Sequence, residues 1–303
     1  MTQNQLVSIV IPVYNREKLV SRAIQSALDQ TYGNIEVIVC DNASTDGTWG
    51  VLKHLQQKDA RIRIFRNERN LGPVANWAKC FSYAKGEYIK IIWSDDWISS
   101  DFVERALAVF DDQTGFVMSG VAVVEEKGEK LFEIMPRKTV YSAKEYLNDI
   151  LFYRMDSFPK SPGCALFRTH DAVQALIERV PNAEGLDSSL NGAGNDLLLF
   201  LIAAVKYKEV KVIREPLCFF VSHRDSFSSQ KDLSHYYEWA RIFFITEYYH
   251  NGNNLILRYI YSRRNASSFQ ILKNSVSLKG AQLTPLVRYL LKRIFRRVKT
   301  WMN

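Results

Sequence analysis

Cysteine is scarce in this chain. Four residues in 303, Cys40, Cys80, Cys164 and Cys218, stand far apart without a Cys-x-x-Cys pair. That excludes a disulfide-stapled scaffold and leaves four small hydrophobes of a reducing compartment. Long apolar runs are missing too. The longest, Leu197 to Val205, is nine residues, too short to span a bilayer. The N-terminus, MTQNQLVSIVIPVYN, has neither a basic leader nor a small-residue cleavage site, and reads as no secretory signal. Glycine and proline (14 and 8 residues) follow no period, which excludes a collagen-like fibre and leaves no low-complexity linker. Walker A, HExxH and GxSxG motifs are absent. Gly192-Ala193-Gly194 lacks the third glycine of a dinucleotide fingerprint and no strand precedes it.

Acid is missing from one end. After Glu247 there is no Asp or Glu, while eleven Lys and Arg follow. Those eleven exceed the net charge of +8, so residues 1–247 carry −3. A basic tail implies an anionic partner. Within PLVRYLLKRIFRRVKTWMN the apolar positions Leu286, Val287, Leu290, Leu291, Ile294, Phe295, Val298, Trp301 and Met302 fall on one helical face. Thr284 is placed to cap this helix and Pro285 to begin it. Such a helix reads as lying in an anionic membrane interface. Docking on the chain's own domain is the plainer alternative. Nucleic acid is not expected, because stacking aromatics and reading motifs are lacking.

What is present is an alternation of elements. Apolar, β-branched runs at 6–14, 35–40, 62–67 and 87–93 read as buried parallel strands. Helical spacing at 17–30, 48–57 and 75–84 separates them. A helix at 101–110, a hairpin turning at Lys127–Gly128, a helix at 143–152, a strand at CALF (164–167), a strongly apolar helix at 196–206 and a late strand, VKVIREPLCFF, follow. Residues 230–275 read as Tyr- and Phe-rich helices. The expected fold is therefore α/β, a Rossmann-like, mostly parallel sheet flanked by helices. Its domain would run over 1–229, with a helical extension over 230–303. Open sheets of this type bind ligands at the C-terminal ends of their strands.

Two such ends carry acid: Asp41 after the second strand, and Asp95-Asp96 after the fourth. Adjacent carboxylates repel, and Mg²⁺ or Mn²⁺ bridging to substrate phosphates would offset the cost. Taken singly, Asp95-Asp96 also fits a helix cap, and Asp41 a turn residue.

Together these residues resemble the inverting family 2 glycosyltransferases of the GT-A fold. The resemblance runs over residues 7–105 and rests on a PxYN strand end, QTY, DNASTDGT, NxG followed by AxN, and GEYI ahead of the acidic pair. It implies that Pro12, Tyr14 and Arg16 hold the base and diphosphate of a nucleotide sugar. It further implies that Asp41 receives the pyrimidine, that Arg69 and Asn76 line the pocket, that Asp95 lies by the ribose and that Asp96 binds a divalent cation. Trp93 stands where many relatives carry another Asp, which weakens the metal motif. An inverting transfer needs one carboxylate as base. The resemblance places it at Asp196 of Gly194-Asn195-Asp196-Leu197, with Asp187 as fallback; a helix-capping acid is the plainer alternative for Asp196. Ser161-Pro162-Gly163-Cys164 resembles the family's turn under the acceptor site. His223 matches a histidine against metal or diphosphate, and Arg224 is an alternative phosphate contact.

The resulting expectation is a cytoplasmic transferase, peripheral on the inner face of the cell membrane. It passes a sugar from a nucleotide-diphosphate donor to a glycan acceptor carried on polyprenyl pyrophosphate, in O-antigen or capsule assembly. Two rival classes are a nucleotidyltransferase, disfavoured because PVYNREK is not a Gly-rich cationic loop, and a non-catalytic nucleotide-sugar binding module, which would lack the base.

Overall fold

Val7–Val13 (β1) and Ile35–Asp41 (β2) are buried at every position. β-Branched residues buried on both faces are what the middle of a helix-covered parallel sheet requires. In the computed structural model, which describes residues 5–152, 158–182, 184–222 and 232–249, they lie side by side, Val7 opposite Ile35 and Val13 opposite Asp41. Ile62–Arg66 (β3) extends the sheet beyond β2, and Tyr88–Ile91 (β4) flanks β1 on the other side, all four parallel. The helices between them are Val20–Leu28 (α1), Thr48–Gln56 (α2) and Pro73–Tyr83 (α3), the last with proline in its first turn.

The second half is mixed. Trp97–Ile98 (β5), Phe102–Val109 (α4), Thr114–Val124 (β6), Lys130–Ile134 (β7), Val140–Ser142 (β8) and Ala143–Phe152 (α5) follow. Then come a 3₁₀ turn at Pro162–Cys164, Ala165–Arg168 (β9), Thr169–Ala175 (α6), a 3₁₀ turn at Ser188–Leu190, Asn195–Val205 (α7), Glu209–Val221 (β10) and Ser234–Glu247 (α8). The sheet order is β3-β2-β1-β4-β9-β6-β10-β5, with β7 beside β6 and β8 beside β10. β6 and β10 are parallel, and β9 is wedged antiparallel between β4 and β6. The expected mostly parallel α/β sheet is thus found, with β5, β7, β8 and β9 pairing antiparallel.

α7 is apolar almost all round, with Leu197 to Ala204 buried, because it packs against α5, α6, α8 and β6 together. α8 belongs to this core: its Trp239, Ala240, Phe244 and Ile245 are buried in the same cluster as the sheet. All four cysteines are buried and free. No helix among the described residues is long and apolar enough to cross a membrane. The basic amphipathic segment 284–303 lies outside the described residues.

Candidate active site

The strand ends form the site. β1 runs out at Val13, and Asn15 turns the chain with a left-handed φ of 52°. β2 ends at Asp41, and Ala43 does the same with φ 60°. A β-carbon is strained there, which a site held by its surroundings tolerates. The two loops hold each other. Asn15 Oδ1 accepts from the Thr45 amide at 2.8 Å, and the Arg16 amide donates to Thr48 Oγ1 at 2.8 Å.

Asp41 is fully buried. Its Oδ1 accepts from the Ser44 amide and hydroxyl, and Arg66 Nε stands 3.1 Å from its Oδ2 without hydrogen-bond alignment. Next to it, Asn42 organises the loop before α3. Its Oδ1 accepts from Asn67 Nδ2 at 3.0 Å and from the Leu71 amide at 2.9 Å, and its Nδ2 donates to Asn70 Oδ1 at 2.8 Å. Asn76, also buried, donates to the Cys40 carbonyl and accepts from Asn67, each at 3.0 Å. Its amide therefore braces the loop. The asparagines are the physical reason that this polar stretch is ordered beside an apolar sheet.

Above these loops a cleft of about 680 Å³ is lined by Pro12, Tyr14, Arg16, Asn42, Asn76 and Asp95, among others. A second lobe of about 390 Å³ continues from it, sharing Arg16, Trp77, Trp93, Asp95 and Asn191, and reaches Asp96, Ser161 and Asp196. The fold therefore brings Pro12, Tyr14, Arg16, Asn76, Asp95, Asp96 and Asp196 to one continuous cleft. Asp41 lies just beneath it. Arg69 is exposed and lines neither lobe, and His223 and Arg224 lie outside the described residues.

The acidic pair is asymmetric. Asp95 is part-exposed, its Oδ2 3.8 Å from Arg16 Nε, and its carbonyl accepts from Arg22 Nη2 at 3.0 Å. Asp96 is buried and accepts from the Val221 amide at 2.9 Å. Burial, then the charge of Asp95, push its carboxyl well above the usual range, against the Val221 amide, Lys90 and Arg22. Lys90, in β4, is itself completely buried. It donates to the Gly163 carbonyl and lies 4.0 Å over the Phe102 ring. No group of three or more His, Cys, Asp or Glu among the described residues has metal-ligating geometry.

Across the second lobe stands Asp196, in the first turn of α7. Its Oδ1 accepts from the amides of Gly194 at 2.9 Å and Leu197 at 2.8 Å, and its Oδ2 accepts from the Tyr237 hydroxyl at 2.6 Å. Burial drives its pKa up to about 6, and these hydrogen bonds and the Arg241 charge restrain the rise. A carboxyl with that pKa is an anion at neutral pH and a competent proton acceptor. Asp187 is built differently. It caps the turn at Ser188–Leu190, accepts from the Ser189 amide and hydroxyl, pairs with Arg179 at 2.7 Å and lines neither lobe. The Ser189 hydroxyl first, with its amide and Arg179, holds its carboxyl below the usual range.

Several residues of the cleft carried no sequence signal. Trp77 and Trp93 meet where the lobes join, and Tyr237 arrives from α8. Arg66 was hidden in a strand pattern. Only the aromatic at 93, in place of an expected acid, marked its position.

This arrangement is the GT-A fold. The structure superposes on S. aureus TarS residues 1–349 in complex with UDP-GlcNAc with a TM-score of 0.58 at 17% identity, covering 88% of this chain and 83% of that one. It also superposes on the mannosyltransferase PcManGT from Pyrobaculum calidifontis, in complex with GDP-Man and Mn²⁺, with a TM-score of 0.53 at 15% identity, covering 98% and 83%. Residues 8–172 match Glycosyl transferase family 2, and the chain belongs to that family. It is similar to an uncharacterized glycosyltransferase of Haemophilus influenzae, 39% identical over 34% of this chain and 41% of that protein. It is likewise similar to the Escherichia coli UDP-Glc:alpha-D-GlcNAc-diphosphoundecaprenol beta-1,3-glucosyltransferases WfaP and WfgD. WfaP is 40% identical over 32% of this chain and 38% of that protein, and WfgD 32% identical over 45% and 54%. These matches span about half or less of each relative.

Proposed function

We propose that the protein transfers a sugar, with inversion, from a nucleoside-diphosphate sugar to a hydroxyl of a lipid-linked glycan acceptor. The observation that carries this reading is the placement of Asp196 across one cleft from Asp95 and Asp96, in a lobe continuous with the larger pocket at the strand ends. The larger lobe takes the donor: Asp41 and the loops of Tyr14 and Arg16 hold the nucleotide, and Arg69 lies outside that lining. The smaller lobe takes the acceptor. Asp196 removes the proton of the attacking hydroxyl as that oxygen bonds to the anomeric carbon from the face opposite the departing diphosphate. A separate base on the far side of the leaving group is what a single in-line displacement requires.

The donor set at the boundary of the lobes fits a divalent cation. Asp95 and Asp96 offer hard oxygens, and two carboxylates completed by substrate phosphates are a usual Mg²⁺ or Mn²⁺ arrangement. When bound, the cation neutralises charge growing on the leaving diphosphate. His223 is the further ligand that the family resemblance implies. Arg16, within reach of Asp95, adds a permanent positive charge from the protein itself.

The basic segment after Glu247 supports a peripheral site on an anionic, cytoplasmic membrane face, where a polyprenyl-pyrophosphate acceptor would be met. The diphosphoundecaprenol acceptors named for WfaP and WfgD support this reading, and such a transfer would serve O-antigen or capsule assembly.

The test is a thermal-shift panel of UDP, GDP, CDP and dTDP with and without Mn²⁺, followed by turnover of the matching donor with a synthetic GlcNAc-diphospholipid. One nucleotide should raise the melting temperature, more with metal present; a hundredfold excess over Kd adds about 2.7 kcal/mol. Asp196→Asn should bind that nucleotide normally and lose transfer. Full turnover in that variant would remove Asp196 as the base.

A further inference from the structure

The base candidate is completed by a residue from outside the segment that matches the family. The family model matches residues 8–172, so Asp196 and Tyr237 both lie beyond it, and Tyr237 comes from α8, later in the chain still. Its hydroxyl donates to Asp196 Oδ2 at 2.6 Å and its side chain lines the acceptor lobe. The contact is built into the chain. Gly194 (φ 88°) precedes α7, and a β-carbon there would stand 2.9 Å from the Tyr236 carbonyl and 3.1 Å from the Ala240 methyl. Glycine at 194 thus lets α8 press against the head of α7, bringing the two side chains within hydrogen-bond reach. Lower on α8, Trp239, Ala240, Phe244 and Ile245 are buried, so the helix is fixed in that position.

We infer that Tyr237 is a positioning residue for the transfer, holding the Asp196 carboxylate in orientation at the floor of the acceptor lobe. Two backbone amides fix Oδ1, and without a third donor the group would be free to swing Oδ2 about that anchor. The Tyr237 hydroxyl removes this freedom and also favours the ionised carboxyl, the form that accepts a proton. Arg241 on the same helix acts in the same direction. The other charged groups of the cleft are Lys160 beside the lobe and Arg16, Asp95 and Asp96 across it. The catalytic meaning of this contact rests on the reading of Asp196 as the base; the contact itself does not.

The two are therefore separable by an experiment that needs no substrate. Infrared difference spectra of the whole protein, wild type minus Asp196→Asn, isolate the carboxyl band of Asp196 and give its titration midpoint. Tyr237→Phe keeps the ring and removes the hydroxyl, so the midpoint should rise by about one pH unit. Replacing Tyr237 by 3-fluorotyrosine retains the fold contacts and makes a stronger donor, so the midpoint should fall. A midpoint that stays at the wild-type value in both variants would overturn the inference. A merely structural tyrosine would change melting temperature and leave the band unmoved. Loss of transfer in Asp196→Asn, measured separately, decides the base reading whichever way the infrared result falls.

Discussion

The indole rings of Trp77 and Trp93 meet with centroids 4.9 Å apart and planes inclined by 41°, at the junction of the two lobes. Trp93 is pinned by its Nε1, which donates to Ser161 Oγ at 2.7 Å. Trp77 packs closely on the backbone at Gly192 (φ 74°), where a β-carbon would come within 2.3 Å of its ring. Gly192→Ala should therefore act twice. The left-handed backbone costs a non-glycine residue about 1–2 kcal/mol, and the ring must shift from its place at the junction of the lobes. The expected outcome is a melting temperature several degrees lower and a weaker affinity for the stabilising nucleotide. Calorimetry and nucleotide titration read the two effects independently. An unchanged melting curve would mean that the loop relaxes freely and does not hold the wall.

The pKa of Asp196 makes a linkage prediction. Its value is about 6 in the native state against 3.8 for a free carboxyl. Between these values the native state holds more protons than the unfolded chain, so stability falls as pH rises. The favourable contribution is complete below about pH 4 and lost by about pH 6, and the group is part-buried at the wall of the cleft. On the order of 3 kcal/mol is at stake. Asp196→Asn cannot titrate and keeps an oxygen for the two amides. Its stability relative to wild type should increase from pH 4 to pH 7 by that order. Urea unfolding at both pH values supplies the difference, from which most other titrating groups cancel. If the gap between the two proteins does not change with pH, the carboxyl is not raised.

Much of this fold was legible because the first four strands repeat one physical pattern. Each is short and rich in β-branched residues, and the first three are each followed directly by a helix, so β1 to β4 fall close to their expected limits. β9 was legible as a strand at CALF, but its direction was not, since the periodicity of a strand is the same read either way. Only the pairings of Ile89 with Phe167 and Phe116 with Phe167 place it antiparallel between β4 and β6. β5 and β8, two and three residues long, are too short to show a period. At the site, the residues at strand ends were readable, because chain topology alone brings Asp41, Asp95 and Asp96 to one edge. Tyr237 was not. It is one tyrosine in an aromatic-rich helix, and its bond to Asp196 exists only because the space at Gly194 lets the helices touch.

Lys90 offers a further prediction. A completely buried ammonium in a central strand persists only if its charge is answered. Here the Gly163 carbonyl accepts from it, the Cys218 sulfur lies at 3.5 Å, the Phe102 face lies below, and Asp96 is close enough to feel its charge. Lys90→Met matches the shape and removes the charge, leaving a buried carbonyl without its donor and Asp96 with one fewer cation near it. Removing one member of such an arrangement costs about 2–4 kcal/mol. Denaturant unfolding at neutral pH should show a loss in that range. A variant as stable as wild type would show that the lysine charge contributes nothing to the packing of β4 against the turn at Gly163.

The basic segment can be tested apart from the catalytic cleft. Six cations lie between Arg288 and Lys299, and Arg288, Lys292, Arg296 and Lys299 fall off the helical face on which the apolar positions recur to Trp301 and Met302. Each lysine or arginine near an anionic surface contributes about 1 kcal/mol at low salt, and the attraction fades as the Debye length shortens. The full chain should therefore sediment with phosphatidylserine-containing vesicles, less so as salt is raised and hardly at all with neutral ones. A chain ending at Leu283 should stay in the supernatant, remain folded by circular dichroism and keep its nucleotide-dependent thermal shift. If the shortened chain precipitates or melts early, the apolar stripe belongs against the protein's own core, and the membrane is then met by another surface. If it stays folded and still binds vesicles, the cations between Arg258 and Lys279 carry the attraction, and charge-neutralising substitutions there become the deciding measurement.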